Sequence, residues 1–110
     1  MNYKTVDYAE TDEHRMIQET IRRFVADKLA PIAAQIDHEE RFPLEVIKEL
    51  GGLGLLGLVA SEEHGGGGHD VIGAAIVAEE ISKVCAGTYT SAQGHVFCLH
   101  WIEKYGTPEQ

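Results

Sequence analysis

Apolar residues at helical spacing constrain the fold of this chain more than any other feature of its sequence. In the first predicted helix they recur at i, i+4, i+7 and i+8, and they are Ile17, Ile21, Phe24 and Val25. No alternation of apolar and polar residues persists long enough to predict strands. We therefore predict an all-α fold, a bundle of about five helices with a glycine-rich connecting segment. The length predicts a single domain over residues 1–110.

Capping residues and prolines mark the boundaries of the predicted helices in the first half of the chain. Thr11 is a candidate N-cap, because its side chain can accept a hydrogen bond from a free N–H group of the first turn. Pro31 should end or kink that helix, and Pro43 sits where another helix begins. Gly51 and Gly52 are predicted to stop this later helix. The residues predicted on its buried side are Leu44, Val46, Ile47 and Leu50.

A glycine-rich stretch follows, since nine of the twelve glycines lie within residues 51–73. Residues 53–60 are apolar but contain Gly54 and Gly57, which predicts a buried extended segment rather than a helix. Residues 61–70 are predicted to form a loop that contains four consecutive glycines at 65–68.

Two further helices are predicted after this loop. Asp70 is a candidate cap for a fourth helix that runs through Cys85 and is apolar nearly all round, so we expect it at the centre of the fold. A fifth helix is predicted from about Tyr89 to Tyr105, with Gly106 as its C-cap. The residues predicted to face inward from the fifth helix are Ala92, Val96, Leu99, Ile102 and Tyr105.

Two patterns could in principle bind a ligand, and neither has the spacing that its chemistry needs. The four glycines could cradle a phosphate, but they lack the Lys-Ser/Thr of a P-loop, so we favour a turn in which backbone approaches backbone. The six histidines suggest a small metal-binding protein as an alternative. Glycines separate His64 from His69, and His95 and His100 point apart on a helix, so we predict no metal ligands.

No residue stands out as catalytic from its spacing alone. Cys85 and Cys98 lie within apolar helical patterns and are predicted to be small core residues. The carboxylate pairs are adjacent in sequence and are predicted to be solvated, and they are Glu39-Glu40, Glu62-Glu63 and Glu79-Glu80. Gly94 costs its helix about 1 kcal/mol relative to Ala. This cost indicates either close helix packing there or space for a ligand, and the polar residues around 88–93 could line a pocket.

The charge of the chain excludes two classes of partner. With 18 Asp and Glu against 9 Lys and Arg, the formal net charge is −9. We therefore expect neither nucleic-acid binding nor docking on an anionic membrane. Two cysteines cannot form a disulfide framework, and the residues from Met1 to Glu10 lack the pattern of a secretory or transit signal. The expected location is cytoplasmic.

Seven segments, in order along nearly the whole chain, resemble the opening of an acyl-CoA dehydrogenase. They are residues 13–17 (EHRMI), 30–33 (APIA), 41–43 (RFP), 53–57 (LGLLG), 62–66 (EEHGG), 78–82 (AEEIS) and 104–107 (KYGT). The sequence departs from the family pattern at His64, where a Tyr is frequent, and in the unbroken run of four glycines. The resemblance implies the N-terminal helical domain of such an enzyme, with the middle β-domain and the C-terminal helical domain absent from this chain.

The resemblance also implies a chemistry. The complete enzyme would be an FAD flavoprotein that oxidises an acyl-CoA thioester to the trans-2-enoyl thioester. A glutamate of the C-terminal domain would remove the α-proton, and the flavin would accept the β-hydrogen as hydride. This chain would then hold neither that base nor most flavin contacts, so whether it is itself an enzyme stays open. Implied partners are the remaining domains, further copies in a homo-oligomer and an electron-transfer flavoprotein.

The resemblance places three residues of the fifth predicted helix at the far end of the acyl-chain pocket. Tyr89, Thr90 and Gln93 are therefore the expected substrate-binding residues. The alternative function is a non-catalytic helical module whose exposed apolar face binds another chain. Residues 107–110 (TPEQ) fit a capping box, which favours the start of a further helix and hence a truncated chain over a frayed tail.

Overall fold

The computed structural model describes residues 10–110, and residues 1–9, on which most of the targeting argument rests, lie outside the described part. Five α-helices make up the described fold, and we number them in chain order: α1 (Asp12–Phe24), α2 (Ala33–Glu39), α3 (Leu44–Gly52), α4 (Val71–Ser82) and α5 (Ala86–Tyr105). A π-helical turn (Val25–Leu29) continues α1, and a 3₁₀ turn (Glu62–His64) lies between α3 and α4. No strand occurs within these residues, so the predicted all-α fold is confirmed.

The core lies where α1, α4 and the α3 region meet. The first helix buries Ile17, Ile21 and Phe24, as its apolar spacing predicted, and Val25 is buried in the π-helical turn. The residues with almost no exposed surface include Leu29, Leu50 and Ile81 alongside Ile21. Burial of such side chains contributes roughly 1.5–3 kcal/mol each. Of the predicted buried side of α3, Val46 and Leu50 are buried, Ile47 is half-buried, and Leu44 is exposed.

The predicted boundaries around the glycine-rich stretch need correction. Residues 53–60 form consecutive turns rather than an extended segment, because backbone bonds such as Leu55 N–H to Leu50 O (N···O 3.0 Å) curl the chain back on α3. The burial predicted there holds for Leu55, Leu56 and Leu58. The fourth helix ends at Ser82 and does not run through Cys85 as predicted. The fifth helix, α5, begins at Ala86 and so starts before the predicted Tyr89.

The α1–α4 interface is polar at one point. Glu80, predicted to be solvated, is only 7% exposed and accepts hydrogen bonds from Arg22 Nε (3.0 Å) and Lys83 Nζ (3.2 Å). This burial is permitted because both cations reach the same carboxylate oxygen. The prediction that Glu80 is solvated was wrong because it considered only the neighbouring Glu79 on the same helix. In the structure α1 packs over Glu80 and supplies Arg22 as its partner.

The C-terminal half of α5 extends beyond the other described elements. Ala92 is buried and Val96 and Leu99 are half-buried, but Ile102 and Tyr105, predicted to face inward, are 46% and 67% exposed. Gly106 ends α5 as predicted. The reciprocal hydrogen bonds of a capping box are present between Thr107 and Gln110. Among the described helices none is long and apolar enough to cross a membrane.

Candidate functional site

A groove of about 730 Å³, lined mainly by apolar side chains, lies between α4 and α5. Its volume falls within the range of small-molecule pockets. α4 lines it with Val71, Ala74, Ala75 and Ala78, which are spaced i, i+3, i+4 and i+7 and so share one face of the helix. The α5 wall consists of Tyr89, Ala92, Gln93, Val96, Phe97 and His100, and the turns at 55–59 supply Leu55, Leu56, Leu58 and Val59.

The α4 helix explains how this groove remains open. Its opposite face is buried through Gly73, Ile76 and Glu80, and a Cβ on Gly73 would lie only 3.1 Å from Ile17 Cδ1. Close approach of α1 therefore uses one side of α4, and the alanine side faces the groove. The sequence predicted α4 as a central helix because it is apolar nearly all round. The structure shows that half of this apolar surface lines a cavity instead of a helix interface.

Backbone hydrogen bonds hold the end of the glycine run against the turns at residues 57–60, part of which line the groove. The N–H groups of Gly67, Gly68 and His69 donate to the carbonyls of Gly57 (2.9 Å), Ala60 (2.8 Å) and Leu58 (2.7 Å). Because these N–H groups are occupied by backbone carbonyls, they cannot also cradle a phosphate. The turn in which backbone approaches backbone is confirmed.

One glycine of the run is required by close packing. A Cβ on Gly66 would lie 2.2 Å from the carbonyl oxygen of Ala60, well inside any normal contact. Gly65 and Gly68 adopt positive φ (81° and 63°), which a residue with a Cβ adopts only with strain. The glycine run is therefore an ordered support for the groove.

A single histidine joins the start of α1 to the start of α4. His14 Nδ1 accepts a hydrogen bond from Thr11 N–H (3.2 Å), and its Nε2 donates to Asp70 Oδ1 (2.9 Å). Thr11 caps α1 and Asp70 caps α4, the latter by accepting from Gly73 N–H (3.0 Å), so both predicted caps are confirmed. The hydrogen bond from Gly73, followed by that from His14, lowers the pKa of Asp70. Asp70 lies on the groove lining, so this junction fixes the groove's outer end.

A second junction ties the loop to α5. Glu103 Oε1 accepts hydrogen bonds from Ser61 N–H (2.7 Å) and from His64 Nδ1 (3.1 Å). Hydrogen bonds from Ser61, followed by that from His64, lower the pKa of Glu103 to about 2. The carboxylate is therefore ionised at neutral pH, and it holds the start of the glycine-rich loop against α5.

Two of the three predicted substrate-binding residues lie together on the groove. Tyr89 and Gln93 are one helical turn apart, both half-buried, and both line it. Thr90 is exposed, does not line the groove, and donates its hydroxyl hydrogen bond to Ala86 O (3.0 Å). It points elsewhere because adjacent helical residues are rotated by about 100°. Its role in substrate binding stays a prediction.

Sequence reasoning missed the polar groups on the rim of the groove. His69, Asp70 and His100 all contribute to its lining, although they were examined only as metal ligands or as a cap. The sequence holds no signal for this grouping, because His69 and His100 lie far apart in the chain and both reach the groove only through the tertiary fold. Within the described residues no group of three His, Cys, Asp or Glu side chains is arranged to hold a metal ion.

The cysteines and Gly94 also differ from expectation. Cys98 is exposed, so its prediction as a core residue was wrong, while Cys85 is half-buried at the N-cap of α5 and its sulfur accepts a hydrogen bond from Thr88 Oγ1 (3.1 Å). A Cβ on Gly94 would meet no atom within 4 Å. Close helix packing therefore does not explain this glycine within residues 10–110, and open space surrounds it.

The fold and groove define an all-α domain with an apolar groove between two helices, and comparison with known proteins specifies the family. The model of the acyl-CoA dehydrogenase N-terminal domain matches residues 11–110. The chain belongs to the acyl-CoA dehydrogenase family and is its N-terminal domain.

Individual relatives are consistent with this assignment. The chain is 40% identical to the short-chain specific acyl-CoA dehydrogenase of Clostridium acetobutylicum over 96% of this chain and 28% of that protein. It is 44% identical to the mitochondrial short-chain specific acyl-CoA dehydrogenase of Homo sapiens, over 98% of this chain and 26% of that protein. The chain thus spans about a quarter of the length of these curated relatives.

A solved structure shares the fold closely. It is described as an electron transferring flavoprotein of Acidaminococcus fermentans, in work on flavin-based electron bifurcation. The match has a TM-score of 0.88 and 31% identity, and it covers 94% of this chain and 28% of that one. The five-helix arrangement is therefore that of a domain found within a larger chain.

Proposed function

We propose that α4 and α5 form one wall of the acyl-chain pocket in a short-chain type, FAD-dependent acyl-CoA dehydrogenase. The complete enzyme would convert an acyl-CoA thioester to the trans-2-enoyl thioester. The observation that carries this proposal is the apolar groove, because Tyr89 and Gln93, expected on the acyl side from the family resemblance, both line it. The names of the relatives, which specify short-chain substrates, support the same class of ligand.

The contribution of this chain to the reaction is binding and exclusion of water. Burying an aliphatic chain between α4 and α5 stabilises the complex by about 0.8 kcal/mol for each CH₂ removed from water. That binding energy positions the thioester for chemistry elsewhere in the complete enzyme. The one carboxylate on the groove lining, Asp70, caps α4 and accepts a hydrogen bond from His14, so its oxygens are already engaged.

The described residues do not fit a flavin. The N–H groups of the glycine-rich run that could contact a pyrophosphate donate to backbone carbonyls instead. Most flavin contacts of the complete enzyme would therefore lie outside this chain. As the family resemblance implies, we also propose that the complete enzyme is a homo-oligomer and passes its electrons to an electron-transfer flavoprotein.

Amide chemical shifts test the groove directly. We expect butanoyl-CoA, added to the ¹⁵N-labelled chain, to shift the resonances of residues on α4 and α5 that line the groove. Ala78→Phe, which places a ring in the groove, should abolish these shifts. Ala34→Phe on exposed α2 is the matched control and should leave them unchanged.

Two results would overturn the proposal. Chemical-shift changes that map to residues outside the groove would contradict it. Equal chemical-shift changes in Ala78→Phe and Ala34→Phe on addition of butanoyl-CoA would contradict it as well. A dye-reduction assay with the isolated chain and an acyl-CoA should show no turnover, because the family resemblance places the catalytic glutamate and most flavin contacts outside this chain.

A second candidate function, a helical module that binds another chain, is favoured by one observation. On α5, Phe97 and Trp101 are more than half exposed, and Trp101 stacks on Tyr105 with ring centroids 5.4 Å apart. Such an exposed aromatic surface is typical of an interaction face. The two functions are compatible, since a domain of a larger protein has such a face wherever another domain packs.

A further inference from the structure

The groove is lined mainly by apolar side chains, and its polar lining residues are His69 and Asp70, which precede α4, and Tyr89, Gln93 and His100 on α5. Asp70 is already bonded to His14 and Gly73. Tyr89 contributes a hydroxyl and Gln93 a carboxamide, one helical turn apart on the same wall. Opposite them, the side chains that α4 itself contributes are all aliphatic, and they are Val71, Ala74, Ala75, Val77, Ala78 and Ile81. A ligand in the groove therefore meets hydrogen-bonding groups from one side and aliphatic carbon from the other.

These polar groups have no partner within the described residues. The side-chain hydrogen bonds near the start of α5 are made by Thr88, Thr90 and Ser91. Neither Tyr89 nor Gln93 forms a side-chain hydrogen bond to another residue in 10–110, although both are half-buried. A Tyr hydroxyl that becomes buried usually has a hydrogen-bond partner, and leaving one unpaired costs about 1–3 kcal/mol. An unsubstituted alkyl chain would cover both groups without satisfying either.

From this arrangement we propose that the groove selects acyl groups that carry a hydrogen-bonding substituent, a hydroxyl or a carbonyl, on the acyl chain. The inference rests on the proposed acyl-binding function and specifies its substrate class. The substituent oxygen would accept hydrogen bonds from the Gln93 amide N–H and from the Tyr89 hydroxyl, and a hydroxyl substituent could instead donate to the Tyr89 oxygen. The alanine face of α4 would contact the rest of the chain and leave room for the substituent beside α5.

The energetic consequence is a preference between two otherwise identical ligands. Both polar groups are half-exposed, so water competes for them and the discrimination is smaller than in a sealed site. We expect the substituted ligand to bind about tenfold more tightly. The preference should come from the polar atoms, because Phe and Leu retain nearly the same volume as Tyr and Gln.

The test compares S-pentanoyl-N-acetylcysteamine with its 4-hydroxy analogue, titrated into the full 110-residue chain by NMR. The wild-type chain should bind the hydroxy analogue about tenfold more tightly. Tyr89→Phe/Gln93→Leu should abolish or reverse this preference. Ser91→Ala, which removes a hydroxyl of the same helix that does not line the groove, is the control and should retain it.

Each outcome has a defined meaning. If both ligands bind with equal affinity, or the unsubstituted one binds better, the selectivity is refuted while the acyl groove stands. If the preference survives in the double variant, the assignment of the polar residues is refuted. If neither ligand shifts the groove resonances, the proposed acyl-binding function fails, and this inference fails with it.

Discussion

Replacing one glycine of the run at 65–68 tests whether the loop supports the groove as an ordered element. In Gly66→Ala the new Cβ would lie 2.2 Å from Ala60 O and 2.4 Å from Ala60 C. Both are backbone atoms, so the loop segments that contain Ala60 and Gly66 must move apart. Separation would stretch the hydrogen bonds from Gly66 N–H to Ser61 O (2.9 Å) and from Gly68 N–H to Ala60 O (2.8 Å). Overpacking strain and two weakened hydrogen bonds together destabilise the fold by about 2–4 kcal/mol.

Urea unfolding followed by circular dichroism at 222 nm measures this loss. With an m-value of about 2 kcal/mol per molar, the unfolding midpoint should fall by about 1–2 M. Gly57→Ala is the matched control from the adjoining turns, because a Cβ there meets no atom within 4 Å. It should change stability by less than about 1 kcal/mol, in the stabilising direction. Equal midpoints for the two variants would refute the close packing of the loop.

Three further predictions follow from the junctions and exposed surfaces of the fold. Thr11→Ala removes the N-cap of α1 and should destabilise the chain by about 1 kcal/mol in urea unfolding, whereas Thr11→Ser should be nearly neutral. The pKa of Glu103 is lowered from 4.5 to about 2, so its stabilising contribution is complete above pH 4.5 and is lost as the pH falls toward 2. Unfolding midpoints of Glu103→Gln should therefore decline less than those of the wild-type chain across this window, and parallel declines would contradict the assignment. Trp101→Lys should reduce self-association of the chain in sedimentation velocity, and an unchanged sedimentation profile would argue against the α5 aromatic face as the contact.

Features that depend on neighbours in the sequence could be predicted well. Thr11 and Asp70 cap their helices because a side-chain oxygen and an N–H three residues later are local partners. The apolar stripe of α1 is buried as its spacing required. Gly106 ends α5 where the periodic pattern stops. Each of these structures is fixed within about one helical turn.

Features that depend on distant partners could not be predicted. Glu80 is buried by Arg22, 58 residues earlier, and His14 bonds to Asp70 across 56 residues. Contacts between residues this far apart produce no periodic pattern that a single sequence could reveal. The inward prediction for Ile102 and Tyr105 was wrong for a related reason. An apolar stripe indicates that a surface can be covered, but it does not identify what covers it.

The candidate site was predictable in part. The family resemblance directed attention to Tyr89 and Gln93, and the structure places both on one groove. It could not separate Thr90 from them, because an alignment gives a position and not the direction of a side chain. The alanine wall of α4 was overlooked because the helix is apolar nearly all round, which predicted that every face of it would pack against other helices.

Because one imidazole serves the caps of both α1 and α4, the two helices cannot fray separately. Opening the first turn of α1 turns the ring away from Asp70 and leaves the start of α4 less firmly held. Amide hydrogens in these two turns should therefore exchange with solvent at matched rates. Any sequence change that rebuilds one helix start without this imidazole must also supply a new partner for the other.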